Sequence, residues 1–134
     1  MEQVEFTKSV VSKLLAAIPQ FSQLNHADGD YTRDVEIVSN KGDLAIWLGT
    51  EDMEITVGLS GVKSSGWHMH LNRFEECILT DEIDKAIRFI QSVLYDKRQI
   101  FYSSIYGYTL NDADFVFNHR KPDEIIETRY WSEI

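Results

Sequence analysis

The sequence has few of the features that mark secreted, membrane or disordered proteins. Its 134 residues contain a single cysteine, Cys77, so no disulfide within the chain and no multi-cysteine zinc motif can form. No apolar run approaches the roughly 20 residues that span a bilayer, and the acidic N-terminus does not resemble a basic secretory signal. Two prolines and no low-complexity segment argue against disorder. We therefore expect one soluble, intracellular domain over residues 1–134.

The sequence also lacks the common catalytic motifs. It contains no Gly-x-Ser-x-Gly nucleophile motif, no phosphate-binding glycine loop and no Gly-x-Gly-x-x-Gly. Cys77 follows two glutamates whose charge disfavours a reactive thiolate, so we interpret it as a packing residue. The carboxylate pairs Asp28/Asp30 and Glu51/Asp52 fall in predicted loops, where solvated side chains are more common than acid–base catalysts. We expect a protein that is not an enzyme and needs no cofactor.

Basic residues are in the minority, and the imbalance is local. Twenty-two acids against 13 bases give a formal net charge of −9. Residues 26–60 carry −6 and residues 111–134 carry −3, while the rest of the chain is neutral. A surface of this sign repels phosphate, so direct binding to nucleic acid or to anionic membranes is not expected. The two acidic segments predict either a solvated face that only aids solubility or a patch for a cationic partner.

The periodicity of apolar residues predicts two helices. Apolar residues recur at helical spacing from Glu2 to Ile18, where Pro19 is expected to end the helix. A second apolar stripe runs from Ile83 to Leu94, with acidic residues before it and basic residues after it, as suits the helix dipole. Each stripe predicts a helix that packs one face on a core.

Seven other segments have the composition or alternation of strands. Residues 53–59 and 67–72 alternate, and we predict an antiparallel hairpin in which Val57 opposes Met69 and Ile55 opposes Leu71. Residues 107–112 are predicted to turn. The fold class is therefore α+β, with a single, mostly antiparallel sheet of five to seven strands and two helices packed on one face. The predicted strands are residues 35–38, 44–48, 53–59, 67–72, 100–106, 113–117 and 126–131.

One pair of histidines has a spacing that suits a metal ion. His68 and His70 project from the same face of a predicted strand, about 7 Å apart, and Glu54 lies diagonally across the predicted hairpin. Two histidines and a carboxylate can hold zinc or copper. The alternative, which we favour, is that both histidines are surface or interface residues.

The segment Met53-Glu54-Ile55-Thr56-Val57-Gly58-Leu59, followed by Trp67-His68-Met69-His70-Leu71 and an amphipathic helix, resembles a known family. It is similar to the small immunity proteins of bacterial polymorphic toxin systems, including those of contact-dependent growth inhibition. The resemblance covers residues 35–131, with Leu71 where an aromatic residue is usual. It implies a cytoplasmic, non-enzymatic inhibitor that binds one cognate toxin domain, often a basic nuclease.

The local charge supports such a partner independently, because complementary charge speeds the association of an acidic inhibitor with a cationic groove. Two other functions stay open: a metal- or small-ligand-binding domain that uses the face around His68, His70 and Glu54, and an acidic adaptor subunit of a cellular complex. For the toxin-binding function, we predict a contact surface of acids from the first acidic segment with three possible anchors. These residues are Asp28, Asp30, Asp34, Asp43, Glu51, Asp52, Glu54, Trp67, His68 and His70.

Overall fold

The computed structural model describes residues 2–25, 30–61, 63–71 and 79–134, and of residues 79–81 only the backbone. Asp28, one of the predicted partner contacts, and Cys77, the predicted packing residue, lie outside this part of the chain. The helices are α1 (Gln3–Ala17), α2 (Leu79–Leu94) and α3 (Ala113–Asn118). The strands are β1 (Ser22–Gln23), β2 (Val35–Val38), β3 (Ala45–Gly49), β4 (Ile55–Ser60), β5 (His68–Leu71), β6 (Ile100–Ser103), β7 (Gly107–Thr109) and β8 (Ile126–Arg129).

The strands form two antiparallel sheets rather than the single sheet that the sequence predicts. Five strands follow one another in the order β1-β2-β3-β4-β5, and the other three have the order β7-β6-β8. In the described ranges an isolated parallel β-bridge links Ser64, in the loop between β4 and β5, to Tyr108 of β7. The amide of Tyr108 donates to the carbonyl of Lys63 at 2.7 Å, and the amide of Ser65 donates to the carbonyl of Tyr108 at 3.1 Å. The α+β class, with helices packed on sheet, is confirmed.

The predicted register of the β4–β5 hairpin is also confirmed. Ile55 pairs with Leu71 and Val57 with Met69. Because opposed residues share a face, the neighbouring strands extend the same apolar surface. This surface consists of Val35, Ile37, Ile46, Leu48, Ile55, Val57, Leu59, Met69 and Leu71.

Helices α1 and α2 contact each other and cover that apolar surface. Each contributes one stripe of side chains, as the helical periodicity predicts. Full burial of an aliphatic side chain stabilises a fold by about 1.5–3 kcal/mol, so this layer supplies much of the driving force for folding. The buried helical residues include Phe6, Val10 and Leu14 of α1 and Ile83, Ala86, Ile90 and Val93 of α2.

Two predictions for the C-terminal segment are wrong. Residues 113–117 form helix α3 rather than a strand, because the side chain of Asp112 accepts a hydrogen bond from the amide of Phe115 at 2.9 Å and caps the helix. Residues 107–109 form β7 rather than a turn, with Tyr108 opposite Tyr102 of β6. Gly107 starts β7 at φ +86°, a conformation that disfavours residues with a Cβ atom.

Candidate functional site

The uncovered face of the five-stranded sheet carries a concave polar surface, which we call the polar groove. Its volume is about 370 Å³. Strand pairing builds its floor: Trp47 of β3 lies opposite Gly58 of β4, Gly58 lies opposite His68 of β5, and Thr56 lies opposite His70. The side chains that line the groove belong to Thr32, Arg33, Trp47, Glu51, Asp52, Glu54, Thr56, His68 and His70.

A buried tryptophan forms the floor of the polar groove. The ring of Trp47 lies flat on Gly58, where an added Cβ atom would be 2.2 Å from ring atom Cζ2. The guanidinium of Arg33 lies over the ring, 5.0 Å from its centroid, within the range of cation–π attraction. Trp47 is only 8% exposed. Glycine at position 58 is needed because any larger residue would displace the ring.

Three carboxylates stand at one end of the groove on an irregular turn. Glu51 and Asp52 belong to a short 3-10 turn, Glu51–Met53, and Glu54 follows it. Asp52 and Met53 both adopt left-handed backbone conformations, at φ +56° and +57°. Such conformations cost non-glycine residues roughly 1–2 kcal/mol each, and strained backbone is concentrated at functional sites.

Long-range hydrogen bonds hold this turn in place. The side chain of Gln3 on α1 donates to the carbonyl of Thr50 at 2.7 Å and accepts from the amide of Met53 at 3.2 Å. The hydroxyl of Thr32 donates to Glu51 Oε2 at 2.9 Å. The strained turn is thus fixed by contacts to α1 and to the segment before β2, in addition to its own backbone hydrogen bonds from Met53 to Thr50 and from Glu54 to Glu51.

The two histidines of β5 complete the groove. Their ring centroids are 5.3 Å apart and their planes are nearly perpendicular, at 80°. His70 Nδ1 lies 2.8 Å from the hydroxyl of Thr56 and 3.6 Å from Glu54 Oε1. Within the described residues, however, no three histidine, cysteine, aspartate or glutamate side chains are grouped so that they could hold a metal ion. The interpretation of His68, His70 and Glu54 as metal ligands therefore has no support in this geometry.

The structure brings five of the ten predicted contact residues together in the polar groove: Glu51, Asp52, Glu54, His68 and His70. Asp30 lies next to it, because its carboxylate accepts from the amide of groove residue Thr32 at 2.9 Å.

Three other predicted contacts lie elsewhere. Asp34 is only 2% exposed and accepts a hydrogen bond from the hydroxyl of Thr50 at 2.6 Å, so it belongs to the interior. Asp43 precedes β3, whereas the acidic turn follows that strand, so Asp43 is at the opposite end of the sheet. Trp67 packs on the helix side, 5.9 Å from the ring of Phe89, and donates to Asn111 Oδ1 at 3.0 Å.

Sequence reasoning missed Arg33 and Trp47, which organise the groove. Trp47 sits in an apolar run that indicates an interior strand, and the run itself does not show that one face is uncovered. The sequence feature that could have indicated the position of the Trp47 ring is Gly58 in an otherwise alternating strand, since a glycine inside a strand often marks close approach by another group.

The chain matches no protein-family model, no curated protein sequence and no solved structure. In the described part of the chain, none of the helices has the length and apolar character needed to cross a membrane.

Proposed function

We propose that this protein is a cytoplasmic bacterial immunity protein that binds and neutralises a cognate toxin domain, a cationic nuclease, through the polar groove. In this role it is a binding protein without catalytic activity or cofactor. The observation that carries the proposal is the placement of Glu51, Asp52 and Glu54 on one strained turn that distant residues hold in position.

The electrostatics of the groove fit a cationic partner. Three carboxylates face one guanidinium, that of Arg33, which is itself engaged with Trp47. A concave surface lined by one sign of charge attracts the opposite charge and raises association rates. The groove would therefore take basic side chains that, in a nuclease, otherwise contact phosphate.

The groove also has the mixed composition of a specific interface. Two exposed histidines and a buried tryptophan lie beside the acids, so that a partner would meet aromatic rings as well as charge. Exposed acids that only aid solubility need no such arrangement.

The test uses the C-terminal domain encoded directly upstream, expressed with and without this protein. We expect growth arrest that this chain relieves, and a one-to-one complex. Neutralising the turn (Glu51→Gln, Asp52→Asn and Glu54→Gln together) should weaken binding by between about threefold and about a hundredfold, since exposed ion pairs contribute about 0.2–1 kcal/mol each. Added salt should reduce the difference from wild type.

A matched control removes the same number of charges elsewhere, with Glu5→Gln, Asp43→Asn and Asp84→Asn. We expect its affinity to stay close to that of wild type. Equal weakening by both triple variants would assign the effect to net charge and contradict the groove. A neighbour that binds but is harmless when expressed alone would instead identify an adaptor subunit.

A further inference from the structure

The floor of the polar groove contains a buried hydrogen-bond donor that the protein itself does not use. Trp47 is 8% exposed, and its indole Nε1–H has no acceptor among the described residues. The Nε1–H of Trp67, by contrast, donates to Asn111 Oδ1 at 3.0 Å. Buried tryptophans usually have a partner for this group, and a buried donor without one costs free energy that an added acceptor recovers. The N–H of Trp47 therefore indicates that an occupant of the groove supplies the acceptor.

The strand pairing places this N–H in the groove. A Cβ atom built on Gly58 would lie 2.2 Å from Cζ2, 2.4 Å from Cε2 and 2.8 Å from Nε1 of the Trp47 ring. The edge of the ring that carries the N–H therefore extends over β4, in the direction of His68, which is the register partner of Gly58 on β5. Trp47 and His68 both line the groove, so the donor lies on its floor.

The side chains that border this part of the floor are exposed. The guanidinium of Arg33 lies over the Trp47 ring, and among the described residues it makes no hydrogen bond and no ion pair. His68 Nδ1 lies 3.1 Å from the carbonyl oxygen of Gly66. Both side chains are exposed, and exposed side chains change rotamer within nanoseconds. The groove therefore needs only a side-chain rearrangement, and no backbone movement, to admit an acceptor to the N–H.

The carboxylates of the groove restrict the chemistry of that acceptor. Glu51, Asp52 and Glu54 line the groove, and apart from the histidines Arg33 is the one cation among the lining side chains. An anionic acceptor, such as a carboxylate or a phosphate, would be repelled by this net negative charge. A neutral oxygen attached to a cation satisfies both the N–H and the acids. The main-chain carbonyl of a peptide segment with a basic side chain has this combination.

We infer that the polar groove binds a peptide segment of its cationic partner, with a main-chain carbonyl of that segment accepting from Trp47 Nε1 and a neighbouring basic side chain at the acidic turn. The inference rests on the proposed function and specifies which groups the partner presents. The acids attract any cation, whereas the N–H selects a segment whose carbonyl oxygen reaches the floor of the groove. Trp47 is therefore a determinant of specificity.

A peptide tests this contact without the partner. In an NMR titration of the full chain, acetyl-Gly-Arg-Gly-amide should move the indole proton of Trp47 downfield in a saturable way. That resonance is the one lost when Trp47 is replaced by benzothienylalanine, which keeps two fused rings but has sulfur in place of the N–H. Acetyl-Gly-Glu-Gly-amide, with the same carbonyls and the opposite charge, should bind at least about threefold more weakly. Propylguanidinium, a cation without a carbonyl, should produce no downfield shift.

The same replacement separates binding from folding. At position 47 it removes a donor that has no acceptor among the described residues, so the urea midpoint should not fall, while the affinity for the upstream-encoded domain should fall about two- to tenfold. Position 67 is the matched control, because Trp67 packs on the helix side and its N–H is already bonded to Asn111. There the urea midpoint should fall, and the affinity should stay within about twofold of wild type.

A Trp47 resonance that the arginine peptide does not move would overturn the inference. A lower urea midpoint for the replacement at position 47 would mean that water already accepts from the N–H, and it would overturn the inference as well. Binding of the upstream-encoded domain that depends on the acidic turn but not on the N–H would remove this contact and leave the proposed function standing. If that domain does not bind while the arginine peptide does, peptide recognition stands and the toxin-binding function fails.

Discussion

The polar groove and a pocket beside α3 hold their side chains in opposite ways. The groove exposes carboxylates and histidines above a buried aromatic ring, Trp47. The pocket exposes the rings of Tyr106 and Phe115 beside a buried carboxylate, Glu124. In both places the buried residue differs in chemical character from the exposed residues around it, and it positions them. The buried residue, Trp47 or Glu124, therefore distinguishes each surface better than the exposed residues do.

Gly58→Ala should disrupt the groove and leave the pocket beside α3 intact. The new Cβ would fall 2.2 Å from the ring of Trp47, so either the ring or the strand must move. Overpacking of this kind costs about 1–3 kcal/mol, and we expect a lower Tm with altered tryptophan fluorescence. Chemical denaturation measures the loss.

The double variant Gly58→Ala, Trp47→Ala supplies the control for that substitution. If the clash with the ring is the cause, the two changes should be coupled by more than about 0.5 kcal/mol. Additive losses would place the cause elsewhere in the strand.

Asp34→Ala and Asp52→Asn should separate an interior acid from an exposed one. Asp34 is buried and accepts a hydrogen bond from the hydroxyl of Thr50, so Asp34→Ala removes a buried hydrogen bond and should lower the free energy of unfolding by about 1–3 kcal/mol. Asp52 is exposed, and Asn tolerates its left-handed backbone, so we expect a change within about 0.5 kcal/mol. Urea titration of both variants provides the comparison, and equal losses would contradict it.

Glu124→Gln, at the pocket beside α3, should destabilise the fold in a pH-dependent way. Hydrogen bonds from Ser103 and from the amide of Lys121 lower the pKa of the Glu124 carboxyl below its ordinary value. The ionised group therefore stabilises the fold above the unfolded pKa, near 4.5, and loses this effect as the pH falls through the lower folded pKa. Wild type should have the higher Tm at pH 7, and the difference should shrink in acid. A difference that is constant across this range would argue against the ionised form.

Local patterns predicted the first half of the fold better than the second. The alternation in β4 and β5 predicted their register, since each face of that hairpin has one kind of surroundings. In the segment around α3, strand-forming Phe-Val-Phe was outweighed by the helix cap from Asp112. A single side-chain hydrogen bond of this kind has little weight in a prediction from composition.

Local sequence patterns also predicted the candidate site only in part. Charge counting found the acids of the first segment but could not separate Asp34, which is interior, from Asp52, which is exposed. Both lie in predicted loops with similar composition. Their difference comes from Thr50, which packs Asp34 inside, and from Gln3, which holds the acidic turn at the surface.

The sequence by itself determined the two long helices, the β4–β5 register and the location of negative charge along the chain, because these depend on residues close to one another. Only the tertiary structure decided that the strands form two sheets, that Trp47 lies on Gly58 beneath Arg33, and that a pocket opens beside α3. Each of these features joins segments that are distant along the chain. Their geometry depends on how the packed layers contact one another, and local periodicity does not predict those contacts.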